Sequence, residues 1–337
     1  MNKIILIFIL VVSIYSCKVE DSNDAIISFN QPASFPSPVY TFQNNELTQS
    51  GFELGRKLFY DPILSKDNTI SCGSCHQQVV AFAHGEHKLS HGINGLLGTR
   101  NSPALFNIAW QNAFFWDGGS TSIELQPVGP ITNPVEMDET ITNVISKLRS
   151  TSTYPSLFQN AYGKDTITSQ LMLRALAQFM AAMVSADSKY DQYKNGTASF
   201  NSEELNGYQI FRQHCESCHK EPLFTDLSYR NNGLDIAFGR DAGRARITLQ
   251  PQDSGKFKVP SLRNIAVTGP YMHDGRFNSL SLVIDHYRSG IKQSSTLDSQ
   301  LISGISLTAA EKLALLSFLN TLTDYTFIND KRFSEQK

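Results

Sequence analysis

Two five-residue stretches decide how this chain is read: Cys72-Gly-Ser-Cys75-His76 and Cys215-Glu-Ser-Cys218-His219. Cys-x-x-Cys-His is the attachment pattern of a c-type haem. Two thiols add to the two vinyl groups of one porphyrin, and the histidine that follows lies beneath the ring with its imidazole on the iron. One copy is a moderate signal and two are a strong one. A structural zinc site could use four cysteines. It would not need a histidine after each pair, however, and the pairs stand 143 residues apart. Thioredoxin-like redox pairs would want a strand–helix context. The expectation is therefore two covalent haems, one on Cys72, Cys75 and His76, the other on Cys215, Cys218 and His219.

The likeness between the two regions extends beyond the cysteines. Gly55-Arg-Lys-Leu-Phe59 precedes the first pair and Gly207-Tyr-Gln-Ile-Phe211 the second. Downstream, Pro103-Ala-Leu-Phe-Asn107-Ile-Ala109 echoes Pro260-Ser-Leu-Arg-Asn264-Ile-Ala266, and Phe115-Trp-Asp-Gly118 echoes Met272-His-Asp-Gly275. Pro103 to Asp117 and Pro260 to Asp274 are both 14 residues. An offset shared over that length reads as a duplication with diverged sites.

The chain has 337 residues, room for about two average domains. Its formal charge is −2, which argues against a nucleic-acid protein. With 41% hydrophobic and 18% charged residues it can fill a core. The fifth cysteine is Cys17. It follows Met-Asn-Lys, an apolar run from Ile4 to Val12 and a small residue, Ser16. That is a secretory signal, resembling a lipoprotein signal-peptidase site, with a run too short to span a membrane. Ordinary secretion with Cys17 removed is the alternative. Either way the chain is expected in the periplasm or cell envelope. The expected layout is a signal peptide at 1–16, a Pro- and Ser-containing tether at 17–45, an N-terminal haem domain at 46–195 and a C-terminal one at 196–330.

Apolar spacing predicts a mostly helical chain, and with the repeated haem motifs the expected fold is all-α, two cytochrome c-like haem domains in tandem with long loops wrapping the haems. Helices are expected over 46–60, 140–148, 169–193 and 280–288, the last stopped near Gly290. Asn201 with Glu204 and Thr308 with Glu311 look like capping boxes. The loops at 84–103 and 117–138 would be long for a bare domain, and a haem supplies the apolar core they lack.

These residues, with Asn101-Ser-Pro103, Asn133-Pro-Val-Glu-Met137, Val259-Pro-Ser-Leu-Arg-Asn264 and Tyr271-Met-His-Asp-Gly275, resemble the bacterial di-haem cytochrome c peroxidases, including the MauG branch. The likeness runs from about residue 46 to 325. It implies a peroxide-reactive haem on His76, with Glu136 as the acid/base carboxylate and Gln126 as its polar neighbour. It implies that Trp116 lies between the haems and carries electrons; a plain core aromatic is the alternative. His91 resembles the histidine that caps the peroxidatic iron at rest, with His84 and His87 as competitors in the same loop. The resemblance also implies that the haem on His219 is the electron-relay site. Tyr287 stands where the peroxidases have a methionine ligand and the MauG branch a tyrosine, and His286 and Met272 are the other candidates. A phenolate favours higher oxidation states of iron, a thioether the ferrous form. His273 is expected near the haem edge without being a ligand. A calcium ion is implied on the Asn101 side chain and the carbonyls of Thr268 and Pro270.

Three functions follow. The first is a peroxidase, reducing hydrogen peroxide with electrons from a small donor protein, a cytochrome c or a copper protein. The second is a MauG-like oxidase that uses peroxide to oxidise a protein or small molecule. The third is a plain electron carrier, against which Glu136 and Gln126 argue. Membrane contact is expected only through a lipid on Cys17, and family members are often homodimers.

Overall fold

The computed structural model describes residues 24–164 and 166–336. The expected signal peptide and Cys17 lie outside the described residues. Twelve α-helices are formed among the described residues: α1 (Gln49–Tyr60), α2 (Cys72–Cys75), α3 (Val128–Thr132), α4 (Ile141–Ser150), α5 (Tyr154–Tyr162), α6 (Ser169–Ala181), α7 (Lys189–Lys194), α8 (Ser202–His214), α9 (Ala245–Thr248), α10 (Leu280–Asp285), α11 (Ala309–Asn320) and α12 (Tyr325–Ile328). The only sheet among them is an antiparallel pair, β1 (Tyr229–Arg230) with β2 (Phe257–Lys258). No described helix is long and apolar enough to cross a membrane.

Two helix pairs carry the architecture, and the same residue type lets each pair close. Gly55 on α1 lies against the Ala175 carbonyl and Phe179 of α6, and Gly207 on α8 lies against the Ala314 carbonyl and Phe318 of α11. A Cβ at either glycine would run into the facing backbone, so only glycine permits this approach. The loops repeat as well. Asn107 and Asn264 share a left-handed backbone (φ 54° and 56°), as do Phe115 and Met272 (65° and 75°) and Gly118 and Gly275 (72° and 64°). Both expected capping boxes are formed, Asn201 with Glu204 and Thr308 with Glu311.

Each pair has its own core. Phe52, Leu54, Leu58, Phe59, Leu176 and Phe179 anchor the first. Tyr208, Phe211, Phe224, Leu315 and Phe318 anchor the second. Tyr190 of α7 belongs to the second core, its ring 4.7 Å from Phe224. Phe327, Ile328 and Phe333 return to the first, with Phe327 5.8 Å from Phe82. The C-terminal segment thus packs on the core of the N-terminal half.

Two expectations are corrected. The 169–193 helix is interrupted at Ala182, because the next turn serves the junction of the halves. Ser185 donates its N–H to Asn107 Oδ1 and accepts from Asn107 Nδ2 at its carbonyl, both at 2.9 Å. Its hydroxyl accepts from Asn264 Nδ2 at 2.9 Å and donates to Asp324 at 3.0 Å. Backbone groups engaged in this way cannot continue a helical ladder. The described part of the expected tether, 24–45, is a strap packed on the first core. Val39 and Tyr40 both donate their N–H to the Ala109 carbonyl, Trp110 Nε1 donates to Pro36 at 2.7 Å, and Phe35 and Phe42 are buried. Its aromatic residues outweigh the Pro and Ser content that suggested a linker.

Candidate active site between two cysteine–histidine turns

Each Cys-x-x-Cys-His stretch closes as one tight turn, with the histidine N–H donating to the first cysteine's carbonyl at 2.9 Å in both. All four described cysteines are free thiols. His76 Nδ1 donates to the Phe82 carbonyl at 2.9 Å, and His219 Nδ1 lies 3.1 Å from the Pro260 carbonyl and 3.3 Å from that of Phe224. Phe82 and Phe224 both have left-handed backbones (φ 60° and 55°), a further repeat. An imidazole whose Nδ1–H is committed to a carbonyl carries its lone pair on Nε2, the form a metal takes. Burial holds both rings neutral, pushing His76 down to about 4 and lowering His219.

A cavity of about 1250 Å³ reaches both turns, touching Cys72, Cys75 and His76 at one end and Cys215, Cys218 and His219 at the other. Paired thiols, neutral imidazoles and apolar walls such as Phe59, Ile70, Leu262 and Ile265 fit two covalently attached haems.

Glu136, Gln126, Trp116, His91, Asn101, Thr268, Pro270, Met272, His273 and Tyr287 all line this cavity. Glu136 reaches it on the Asn133–Met137 turn, where its N–H donates to the Asn133 carbonyl at 3.0 Å. Burial raises its carboxyl above the usual range, and a hydrogen bond with the Asn133 side chain pulls the other way. Gly92 lets the loop that carries His91 lie on this turn, since a Cβ there would strike the backbone of Val135 and Glu136. Of the three loop histidines only His91 lines the cavity; its ring is 4.4 Å from His87 and 5.7 Å from buried His84.

The two tryptophans are sorted by the fold. Trp110 is core, 2% exposed. Trp116 lines the cavity and bridges the halves: its Nε1 donates to the Asn101 carbonyl at 2.8 Å and its own carbonyl accepts from the Lys258 N–H at 2.8 Å. Asn101 Nδ2 donates to the carbonyls of His87 and Lys88, both at 3.2 Å, which leaves Oδ1 as its remaining donor atom toward a cation. Among the described residues no three His, Cys, Asp or Glu side chains are grouped to hold a metal. His273 stacks on Phe257 with centroids 3.6 Å apart.

At the second turn the three ligand candidates separate. α10 widens into a π-helical turn at His286–Gly290, a distortion common at functional sites. It leaves Tyr287 on the cavity wall. His286 is buried, absent from that wall, and its Nε2 donates to the Asn232 carbonyl at 2.9 Å. Burial pushes the Tyr287 phenol up to about 12, against the pull of the Asn232 amide. Asn232 was not visible as a site residue in the sequence, where Asn231-Asn232-Gly233 reads as an ordinary turn. Lys258 was also missed; burial lowers its ammonium to about 8, and it donates to the Ala113 carbonyl at 2.8 Å.

A mostly helical chain with two Cys-x-x-Cys-His turns on one internal cavity defines a di-haem c-type protein, with the polar side chains of Glu136 and Gln126 on the cavity wall. A profile of the di-haem cytochrome c peroxidase family matches residues 49–199. The methylamine utilization protein MauG of Methylorubrum extorquens is 34% identical over 300 residues, covering 87% of this chain and 83% of that protein. The cytochrome c551 peroxidase of Nitrosomonas europaea is 34% identical over 265 residues, covering 77% and 78%. The crystal structure of a MauG-like protein associated with microbial copper homeostasis superposes with a TM-score of 0.85 at 32% identity, covering 91% of this chain and 99% of that one. The protein belongs to the di-haem cytochrome c peroxidase family, a family of haem-iron oxidoreductases with both peroxidase and MauG members.

Proposed function

We propose that the protein is a peroxidase that reduces hydrogen peroxide to water, taking two electrons and two protons per peroxide, the electrons coming from a cytochrome c or small copper protein. The two haems supply the iron for peroxide at His76 and the electron relay at His219. The observation that carries the proposal is Glu136, a carboxyl lifted by burial on the wall of the cavity that holds Cys72, Cys75 and His76. Such a group can take a proton from one peroxide oxygen and return it to the other. Gln126, on the same wall, can donate its amide N–H groups to peroxide and orient it. Trp116, held from both halves, provides an aromatic path between the two ends.

The remaining assignments belong to the same proposal. His91 caps the peroxide site at rest, and Tyr287 is the second ligand at the His219 site. Calcium sits on Asn101, Thr268 and Pro270. The chain is exported to the periplasm or cell envelope, carries a lipid on Cys17 and pairs as a homodimer. Tyr287 favours a second function, a MauG-like oxidase, because a phenolate ligand disfavours the ferrous state that donor-driven turnover passes through.

The test is steady-state. Peroxide is expected to be consumed continuously when a reduced small cytochrome or copper protein is supplied. Peroxide consumption only alongside oxidation of another protein or small molecule, with no donor sustaining turnover, would establish the oxidase instead. If both irons stay six-coordinate in every redox state, neither enzyme function holds.

A further inference from the structure

Asn232 occupies an unusual position in the second half. Its neighbours are clamped. The Asn231 side chain donates to Ser294 Oγ at 3.0 Å and Thr296 Oγ1 at 2.9 Å, and accepts from the Gly233 N–H at 2.9 Å. The Asn231 carbonyl accepts from the Asp298 N–H at 3.0 Å, and that of Gly233 from the Lys292 N–H at 2.8 Å. Asn232's own carbonyl is taken by His286 Nε2 at 2.9 Å. Only its side chain is left to act on the cavity, which it lines. There Nδ2 lies 3.4 Å from Met272 Sδ and 3.5 Å from Tyr287 Oη.

These two atoms are the rival ligands for one iron. An amide nitrogen carries two hydrogens, so a single side chain can serve both. The consequences for the two partners are unequal. A thioether sulfur is a weak acceptor, so the amide gains little from it. A phenolate oxygen carries charge and more than one lone pair, so it can accept the amide hydrogen in a charge-assisted bond, roughly twice as strong as a neutral one, and still bind a metal. Met272 is presented to this donor by a left-handed residue (φ 75°), whereas Tyr287 comes from the wide turn after α10. The carbonyl of Asn232 meanwhile ties down His286, the third candidate.

We propose that Asn232 is the positioning residue that selects the ligand at the His219 site, steering it to Tyr287 and away from both Met272 and His286. Its role rests on Tyr287 being that ligand, which is part of the function proposed above. Asn232 acts through the side chains it holds and does not itself touch iron.

The experiment uses the full-length protein with both haems, read by the phenolate-to-iron charge-transfer absorption and the electron paramagnetic resonance of the ferric His219 haem. Tyr287→Phe comes first. Loss of the phenolate signature establishes the ligand; an unchanged spectrum overturns that assignment and Asn232's role with it. Asn232→Leu keeps the size of the side chain and removes both donors. The expected result is a loss of most of the phenolate signature, a thioether-type spectrum in its place and a higher reduction potential for that haem. Asn232→Leu combined with Met272→Leu removes the competing sulfur, so the phenolate signature returns. Asn232→Ser, which retains a donor hydroxyl, covers the case in which Asn232→Leu fails to fold; it is expected to give a mixture of the two spectra. If Tyr287→Phe changes the spectrum and neither Asn232 variant does, Asn232 does not select the ligand although Tyr287 still binds.

Discussion

Replacing Glu136 with glutamine tests the chemistry at the His76 end most directly. Glutamine keeps the size and polarity of the side chain and removes the exchangeable proton. A positioned acid/base group contributes about 10²- to 10⁴-fold, or ~2.7–5.4 kcal/mol at 1.36 kcal/mol per tenfold. Glu136→Gln should lower the rate of peroxide consumption by that factor while leaving peroxide access and both haem spectra intact. The structure also predicts the pH dependence. Burial raises the Glu136 pKa, so the carboxylate needed to accept the first proton is populated only above that raised value. The wild-type rate should rise with pH through a midpoint above that of an ordinary glutamate, about 4.3, and Glu136→Gln should flatten this rise. Stability moves the other way. A carboxyl with a raised folded pKa favours the fold below its unfolded pKa, and that contribution is lost as pH rises through the folded one. At neutral pH Glu136→Gln should therefore raise the melting temperature slightly. Stopped-flow peroxide decay between pH 4 and 8, beside thermal unfolding of the same samples, reads both effects. A variant within tenfold of the wild-type rate and with the same pH profile would refute the assignment of Glu136 as the proton carrier.

Three other outcomes follow from the fold. Gly207→Ala and Gly55→Ala each place a methyl against a facing helix backbone. Each should cost about 1–3 kcal/mol by overpacking, despite the better helix propensity of alanine; denaturant unfolding that shows either variant stabilised would mean the helices are not in this contact. Arg263 is fully buried and holds Asp191 through two 2.8 Å bonds, so Arg263→Met, which strands that carboxylate, should lose about 3–5 kcal/mol on equilibrium unfolding, and a loss under 1 kcal/mol would contradict a desolvated pair. Trp116→Phe keeps an aromatic ring but drops the bond to Asn101; pulse-radiolysis or flash-reduction kinetics should show slower passage of electrons between the two haems with each haem's own spectrum retained, and unchanged kinetics would remove Trp116 from the path.

Much of this molecule is local in origin, and local features are legible in a sequence. A Cys-x-x-Cys-His turn needs five consecutive residues, and both turns form where they are written. The capping boxes at Asn201 and Thr308 depend on residues three apart and are likewise present. The repeat was readable because glycines and asparagines that must adopt particular backbones recur at the same offsets. The errors arose where distant residues meet. The helix expected to Tyr193 stops because Ser185 is drawn to Asn107, Asn264 and Asp324, which lie 78, 79 and 139 residues away. The strap at 24–45 resembles a linker in composition, and only its contacts with Trp110 and the Ala109 carbonyl show that it is bound.

By itself, then, the sequence determined that two haem-binding turns exist and that the chain is duplicated, because both are carried by residue type and spacing along the chain, whereas Glu136, Trp116 and Tyr287 became candidates only through the resemblance to a known family. Tertiary structure alone decided that both turns face one cavity, that Trp116 is tied to both halves and that His286 is withdrawn. It also decided that the Asn232 amide stands between Met272 and Tyr287. Hydrogen bonds across 40 to 55 residues depend on where the loops are folded back in space, and no periodicity in the sequence records that distance.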